Sequence, residues 1–152
     1  MKLLYGFDKM VCDWVASQLK SSLTGGDFEP CVAIGIVDDQ EELVAGCIFN
    51  NYRMGEVELT FAAKNPSWAT RDILRQLFDY PFRQLCVQRI TAFIAKPNKR
   101  ARRVIEGWGF VQEGVKRKAI DGKDAIMYGC LPHEARFWSV TSNGKSAERI
   151  PA

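Results

Sequence analysis

The chain has 152 residues, 47% hydrophobic and 26% charged, which is one domain's worth of ordinary globular sequence. A core of that size folds without disulfides or metal, and no apolar run approaches the ~18 residues of a membrane span. Asp8 comes too early for the apolar stretch of a signal peptide, so the expectation is a soluble, cytoplasmic protein with no membrane partner.

Residues 1–65 carry 5 Lys/Arg against 10 Asp/Glu, and residues 66–152 carry 16 against 8. The net +3 thus hides an acidic first part and a basic second part, and the basic part points to an anionic partner: a phosphate-bearing cofactor, a nucleic acid or an acidic surface. Five cysteines stand at 12, 31, 47, 86 and 130 with no Cys-x-x-Cys pair. They read as buried free thiols, and no metal site is expected. The single histidine, His133, reads as a surface residue and argues against a His-based nucleophile triad.

Lys2 to Tyr5 predicts a short strand. Asp8 can cap a helix whose stripe is Val11, Trp14, Val15 and Leu19. Ser21 to Pro30 reads as a loop, Cys31 to Val37 and Leu43 to Phe49 as a hairpin, and Asn50 to Gly55 as a turn. Glu56 to Ala62 alternates, with Val57, Leu59 and Phe61 on one face and Glu56, Glu58 and Thr60 on the other. Asn65 as cap with Pro66 at the first helical position predicts the next helix, with Ser67 as a competing cap. That helix carries Ile73, Leu74, Leu77 and Phe78 and should kink or end at Pro81. Gln88 to Ala95 reads as a strand. A helix follows with Ala101, Val104, Ile105 and Trp108 in line, ending at Gly107 or Gly109. Val111 to Ile120 and Ala125 to Leu131 predict a final hairpin around Asp121-Gly122. Residues 1–138 read as one domain and 139–152 as a polar, frayed tail. The order is a mixed α/β (α+β) arrangement with helices covering a sheet.

Two basic helix starts follow adjacent strands: one with Arg71 and Arg75, the other spanning Asn98-Lys-Arg-Ala-Arg-Arg103. They fit a ligand bearing several phosphates. Here Trp68 to Phe82, Arg89 to Ala95, and Asn98-x-x-Ala101-x-x-Val104-Ile105-Glu106-x-x-Gly109-Phe110-x-x-Glu113-Gly114 resemble the GNAT (Gcn5-related N-acetyltransferase) superfamily. The style is that of the ribosomal-protein acetyltransferases and of small phage-encoded relatives, whose compartment would be the host cytoplasm. The resemblance covers roughly residues 31–138. It implies a GNAT fold: a mostly antiparallel sheet with one splayed parallel strand pair and helices on both faces. It implies transfer of an acetyl group from acetyl-CoA to a primary amine of a small molecule or protein, and a homodimer is one assembly it allows.

The resemblance also implies a site. Phe61, Ala62 and Ala63 would pair with the pantetheine arm, and the amides of Ser67, Trp68, Ala69 and Thr70 would hold the pyrophosphate. Arg71 and Arg102 would neutralise phosphate, with Arg75, Arg100 and Arg103 as further candidates. Asn98 would bond the pantetheine between Ala101 and Ile105. Glu58, ahead of Glu56, would be the general base. The family's loop glycines fall on Asn65 and Ser67, Pro66 donates no N–H, and Ile105 stands where many members carry a tyrosine acid. Tyr128, Tyr52, a water or the thiolate's own weak basicity would then complete the reaction. Plain readings stand beside these: Glu56 and Glu58 as solvated strand residues, Asn98 as a helix cap, Trp68 as core. Two other functions remain in view: a CoA- or protein-binding module without turnover, and a nucleic-acid-binding protein. The last is disfavoured, because Trp108 and Phe110 beside the Lys/Arg of 96–118 read as core.

Overall fold

Two glycines decide how closely the first helix approaches the sheet. The computed structural model of the chain describes residues 1–140. In it β2 (Cys31–Val37) and β3 (Leu43–Arg53) pair antiparallel with Gly35 opposite Gly46. A Cβ on Gly46 would lie 2.6 Å from Val15, and one on Gly35 3.2 Å from Val11. Helix α1 (Asp8–Gln18) therefore beds Val11, Cys12, Val15 and Ala16 directly on that face, against Ala33 and Ile48. Trp14 and Leu19, expected in the stripe, lie at its partly buried margin.

Asp8 does not cap this helix, contrary to the sequence expectation. Phe7 holds the cap position, Asp8 is the first helical residue, and its Oδ1 accepts the Ala33 N–H at 3.0 Å. The short strand β1 (Lys2–Leu4) reaches along β2 only as far as Gly35. The carboxylate takes over where that pairing stops, so the Ala33 amide is not left without a partner.

The seven strands run in the order β1-β2-β3-β4-β5-β7-β6, with β4 (Glu56–Ala63), β5 (Arg89–Ala95), β6 (Val111–Ile120) and β7 (Lys123–Cys130). Every neighbouring pair is antiparallel except β4 and β5. This is the mixed α/β architecture the sequence implies. Helix α1 covers one face. Helix α2 (Arg71–Asp79) buries Ile73, Leu74, Leu77 and Phe78 on the other, where Ile105 and Trp108 of the α3 (Lys99–Gly107) region join the same core. No helix among the described residues is long and apolar enough to cross a membrane.

Local differences from the sequence reading have physical causes. The turn expected over Asn50 to Gly55 is only Met54-Gly55, both at positive φ, because β3 continues to Arg53 and pairs through to Glu56. The loop at Ser21 to Pro30 contains a 3-10 turn, Gly25–Phe28. Asn65 does act as a cap, but only of a 3-10 turn, Pro66–Trp68; the α-helix begins at Arg71, where Thr70 Oγ1 accepts the Ile73 N–H at 3.3 Å. Burial of Trp68 in the core holds the chain in that turn before the helix can start. At Pro81, which has no N–H, the helix has already given way to a π turn over Tyr80–Gln84. Asp121 and Gly122, both at positive φ, make the two-residue turn their sequence predicts. Of the cysteines, Cys12, Cys47 and Cys130 are buried, whereas Cys31 is half-buried and Cys86 exposed. The tail expected to fray lies outside the described residues from 141 onward.

Helix α3 ends by a two-bond motif: Gly109 N–H donates to Glu106 O at 3.1 Å and Phe110 N–H to Ile105 O at 3.2 Å. Gly109 sits at φ +109, and a Cβ there would overlap the Glu134 carbonyl oxygen. Gly107, inside the helix, has open space around it. Gly109→Ala should therefore cost about 3 kcal/mol or more in urea unfolding, since it is both strained and overpacked. Gly107→Ala should leave stability within about 1 kcal/mol of the original, on the stabilising side.

Candidate active site

Strands β4 and β5 are in register only over Glu56–Arg89, Val57–Ile90 and Glu58–Thr91. Beyond that point β4 stays paired to β3 as far as Ala63–Ala45, and β5 to β7 as far as Ala95–Ala125. Each strand keeps its outer neighbour, so the two inner edges separate. The gap opens into a cleft of about 480 Å³ between the end of β4, the 3-10 turn, α2 and α3. Phe61, Ala62, Ala63, Trp68, Ala69, Asn98 and Ala101 line it, as the resemblance implies.

The other sequence-derived cofactor residues lie elsewhere. Ile105 is fully buried in the core. Arg71 stacks its guanidinium 5.6 Å from the Phe137 ring centre. Arg102 turns away from the cleft: its Nε donates to Tyr128 Oη at 3.1 Å and its Nη1 to the Lys96 carbonyl at 3.0 Å. Arg100 and Arg103 are the cations of α3 that line the cleft. Ser67 and Thr70 do not line it, and the turn uses its own amides. Ser67 N–H donates to Asn65 Oδ1, whose oxygen also takes the Ser67 hydroxyl; Ala69 N–H donates to Pro66 O and Thr70 N–H to Trp68 O. Asn98 caps α3, its Oδ1 accepting the Ala101 N–H at 3.2 Å, while also lining the cleft.

Sequence reasoning missed Gln18 and Leu19 at the end of α1, and Phe137. Phe137 arrives with a C-terminal segment in which Trp138 Nε1 donates to Asp79 Oδ1 at 2.6 Å. No periodicity in residues 131–138 signals that return to the α2 side. Trp108 is the remaining large wall residue; its ring lies 5.0 Å from that of Phe61 and 5.6 Å, edge-on, from that of Trp68.

Glu58 stands at the apex, in the last paired position before the strands part. Its Oε2 accepts the Asn51 Nδ2–H at 2.9 Å, and Oε1 has no partner among the described residues. Asn51 lies in a bulged stretch of β3 at φ 52, a conformation asparagine tolerates better than most residues. Asn50, opposite Glu58, donates from Nδ2 to the Phe28 carbonyl at 3.2 Å and keeps a buried Oδ1 without a hydrogen-bond partner. Glu56 is more heavily engaged. It accepts from Thr91 Oγ1 at 2.9 Å and pairs with Arg89 Nε at 3.0 Å, while Arg89 Nη2 reaches Glu113 at 2.6 Å. A Cβ on Gly129 would collide with that Arg89–Glu113 pair.

The structure brings Glu56 and Glu58 to one face and Tyr128 to the other. Glu58 is level with Thr91, whereas Tyr128 pairs beside Ala92 and packs in the α2–α3 core. Tyr128 is buried and donates to Glu106 Oε2 at 2.6 Å. Burial, then the bond to Glu106, raises the phenol above its usual pKa, against the opposing pull of Arg102.

No protein-family model matches the sequence, and no curated protein matches it. Solved structures match its shape. The spermidine/spermine N-acetyltransferase SpeG from Vibrio cholerae aligns at TM-score 0.65 and 16% identity, covering 86% of this chain and 93% of that one. The ribosomal-protein-S5-alanine acetyltransferase from Vibrio fischeri aligns at TM-score 0.67 and 14% identity, covering 85% and 91%. The fold is the GNAT fold. A dodecameric spermidine N-acetyltransferase from Vibrio cholerae aligns over a smaller part, 68% of this chain and 66% of that one, at TM-score 0.58 and 19% identity. The turn after β4 is a closed 3-10 turn, Pro66–Trp68, capped by Asn65.

Tyr128→Phe should cost about 1–2 kcal/mol at neutral pH, because it leaves Glu106 and Arg102 without their buried partner. The folded pKa is raised, so the hydroxyl's contribution is complete below the unfolded value near 10 and is lost as pH rises above it. Denaturation of both proteins from pH 7 to 11 should show the difference shrinking above pH 10.

Proposed function

We propose that this chain is an N-acetyltransferase that moves an acetyl group from acetyl-CoA to the amine of a small molecule or protein. The observation that carries this reading is the parting of β4 from β5 after Glu58, with a cleft lined by the end of β4, the 3-10 turn and α3 beyond it. Beyond Glu58 the inner edge of β4 has no strand beside it, so an amide-bearing pantetheine arm can pair there as an added strand does. Ala62, Ala63 and Ala101 keep that route narrow-sided and apolar, and Asn98 supplies a polar contact at its wall.

The phosphates would be held differently from a glycine-loop cradle. Three amides of the turn, those of Ser67, Ala69 and Thr70, already have internal partners. Arg100 and Arg103 at the rim would supply the neutralising charge, with charge-assisted hydrogen bonds. Arg102 is assigned a supporting part through Tyr128, and Ile105 supports α3 from the core.

When bound, acetyl-CoA supplies an acyl thioester. The free Oε1 of Glu58 takes the proton from the acceptor ammonium, leaving a neutral amine to attack. Asn51 holds the other carboxylate oxygen and so fixes the base. A departing thiolate with a pKa of about 8.5 needs little help at neutral pH, so the reaction can do without a tyrosine acid beside Glu58. The acidic first part of the chain favours a cationic acceptor.

The second reading is a CoA-binding module without turnover, favoured by the self-satisfied amides between Asn65 and Thr70. Thiol release from acetyl-CoA, with polyamines, lysine peptides and peptides with free N-termini as acceptors, separates the two. The enzyme should show amine-dependent release. Glu58→Gln should lower kcat about 10²-fold or more, with acetyl-CoA affinity within about twofold of the original. Release that no amine stimulates, or full activity in Glu58→Gln, would overturn the assignment.

A further inference from the structure

Two cysteines that play no part in the cleft meet where α1 crosses the start of β2. Cys12 Sγ lies 3.0 Å from Cys31 Sγ, although 19 residues separate them in sequence. The contact follows from the close seating of α1. With Val11 and Val15 pressed onto Gly35 and Gly46, the intervening Cys12 is brought down on the first residue of β2. The two thiols differ in access. Cys12 is 2% exposed, and Cys31 is half-buried. Burial first, then the hydrogen bond with Cys31, push the Cys12 thiol up to about 12. No cluster of three or more His, Cys, Asp or Glu able to hold a metal exists among the described residues.

We propose that Cys12 and Cys31 form a dithiol modification site, which a peroxide-class oxidant converts to an intramolecular disulfide tying α1 to β2. The more accessible Cys31 reacts first, as thiolate chemistry requires both access and loss of the proton. Its sulfur attacks one peroxide oxygen, the O–O bond breaks, and the departing hydroxide takes up the Cys31 proton as water. Cys12 sulfur then attacks the Cys31 sulfenic acid, the S–O bond breaks, and the hydroxyl leaves as a second water with the Cys12 proton. Two thiols lose two electrons, and one hydrogen peroxide becomes two waters. The new bond closes a ring over residues 12–31, which contains Gln18 and Leu19 of the cleft wall. The ring also contains Ser22, whose N–H and hydroxyl donate to Asp121 in the last hairpin. Oxidation therefore stiffens one wall of the cleft and its link to that hairpin.

The test treats the full chain with hydrogen peroxide, removes the oxidant, blocks remaining thiols with N-ethylmaleimide in denaturant and maps peptides without reductant. A Cys12–Cys31 cross-linked peptide should appear, two of the five thiols should become unblockable, and dithiothreitol should reverse both. Cys86→Ser should cross-link as the original does, and Cys31→Ala should leave Cys12 reduced. The oxidised protein should melt about 5 °C or more above the reduced one, as expected for closing a loop of this length. Cross-linking through Cys86, or oxidation of Cys31 to sulfinic acid with Cys12 still reduced, would overturn the proposal.

Discussion

Beyond Glu58 and Thr91, β4 and β5 each hold on to an outer neighbour and give up each other. Parallel strands occur where both faces of the sheet are covered, and here the one parallel pairing stops after three residues while β3–β4 and β5–β7 run on past it, leaving a seam. The interior of the seam is closed partly by rings: Phe61 from β4, Trp68 from the turn and Trp108 from the end of α3 lie against one another. What remains open is the route past Ala62, Ala63 and Ala101. The apex must stay shut for the rest to stay open. The Glu56–Thr91–Arg89–Glu113 set links β4, β5 and β6 there, in the room left by Gly129.

Several cations of the basic second part are engaged within the protein. Lys116 lies 5.1 Å from the Phe93 ring centre, Arg89 is spent on two carboxylates, and Arg102 is turned to Tyr128. Arg83 donates to the Ser139 and Val140 carbonyls. Among the α3 cations, Arg100 and Arg103 reach the cleft. Part of the charge asymmetry is thus structural, and the share of it that lines the cleft is Arg100 and Arg103.

Much of this was legible in the residues. The alternation from Glu56 to Ala62 places Glu58 on the opposite face from Leu59. Asp121-Gly122 fixes the last hairpin, and the Ala101, Val104, Ile105, Trp108 stripe fixes α3. The start of α2 was not legible, because Asn65, Ser67 and Thr70 are all good caps within six residues. The choice among them rests on burial of Trp68, a tertiary event. Arg102 and Arg103 are neighbours with equal claims on a phosphate; helix rotation sends one to Tyr128 and the other to the cleft. The face of Tyr128 depends on its pairing with Ala92, which a hairpin pattern alone does not fix. Phe137 and the Cys12–Cys31 contact join segments that no local period connects.

The central claim is that the seam between β4 and β5 holds acetyl-CoA. Calorimetric titration of the protein with acetyl-CoA, beside an Ala101→Trp variant whose side chain fills the route, tests it most directly. The account predicts a Kd in the micromolar range for the original protein, weakened about tenfold or more in a variant that melts normally. No binding by the original protein, or equal affinity in the two, would contradict it.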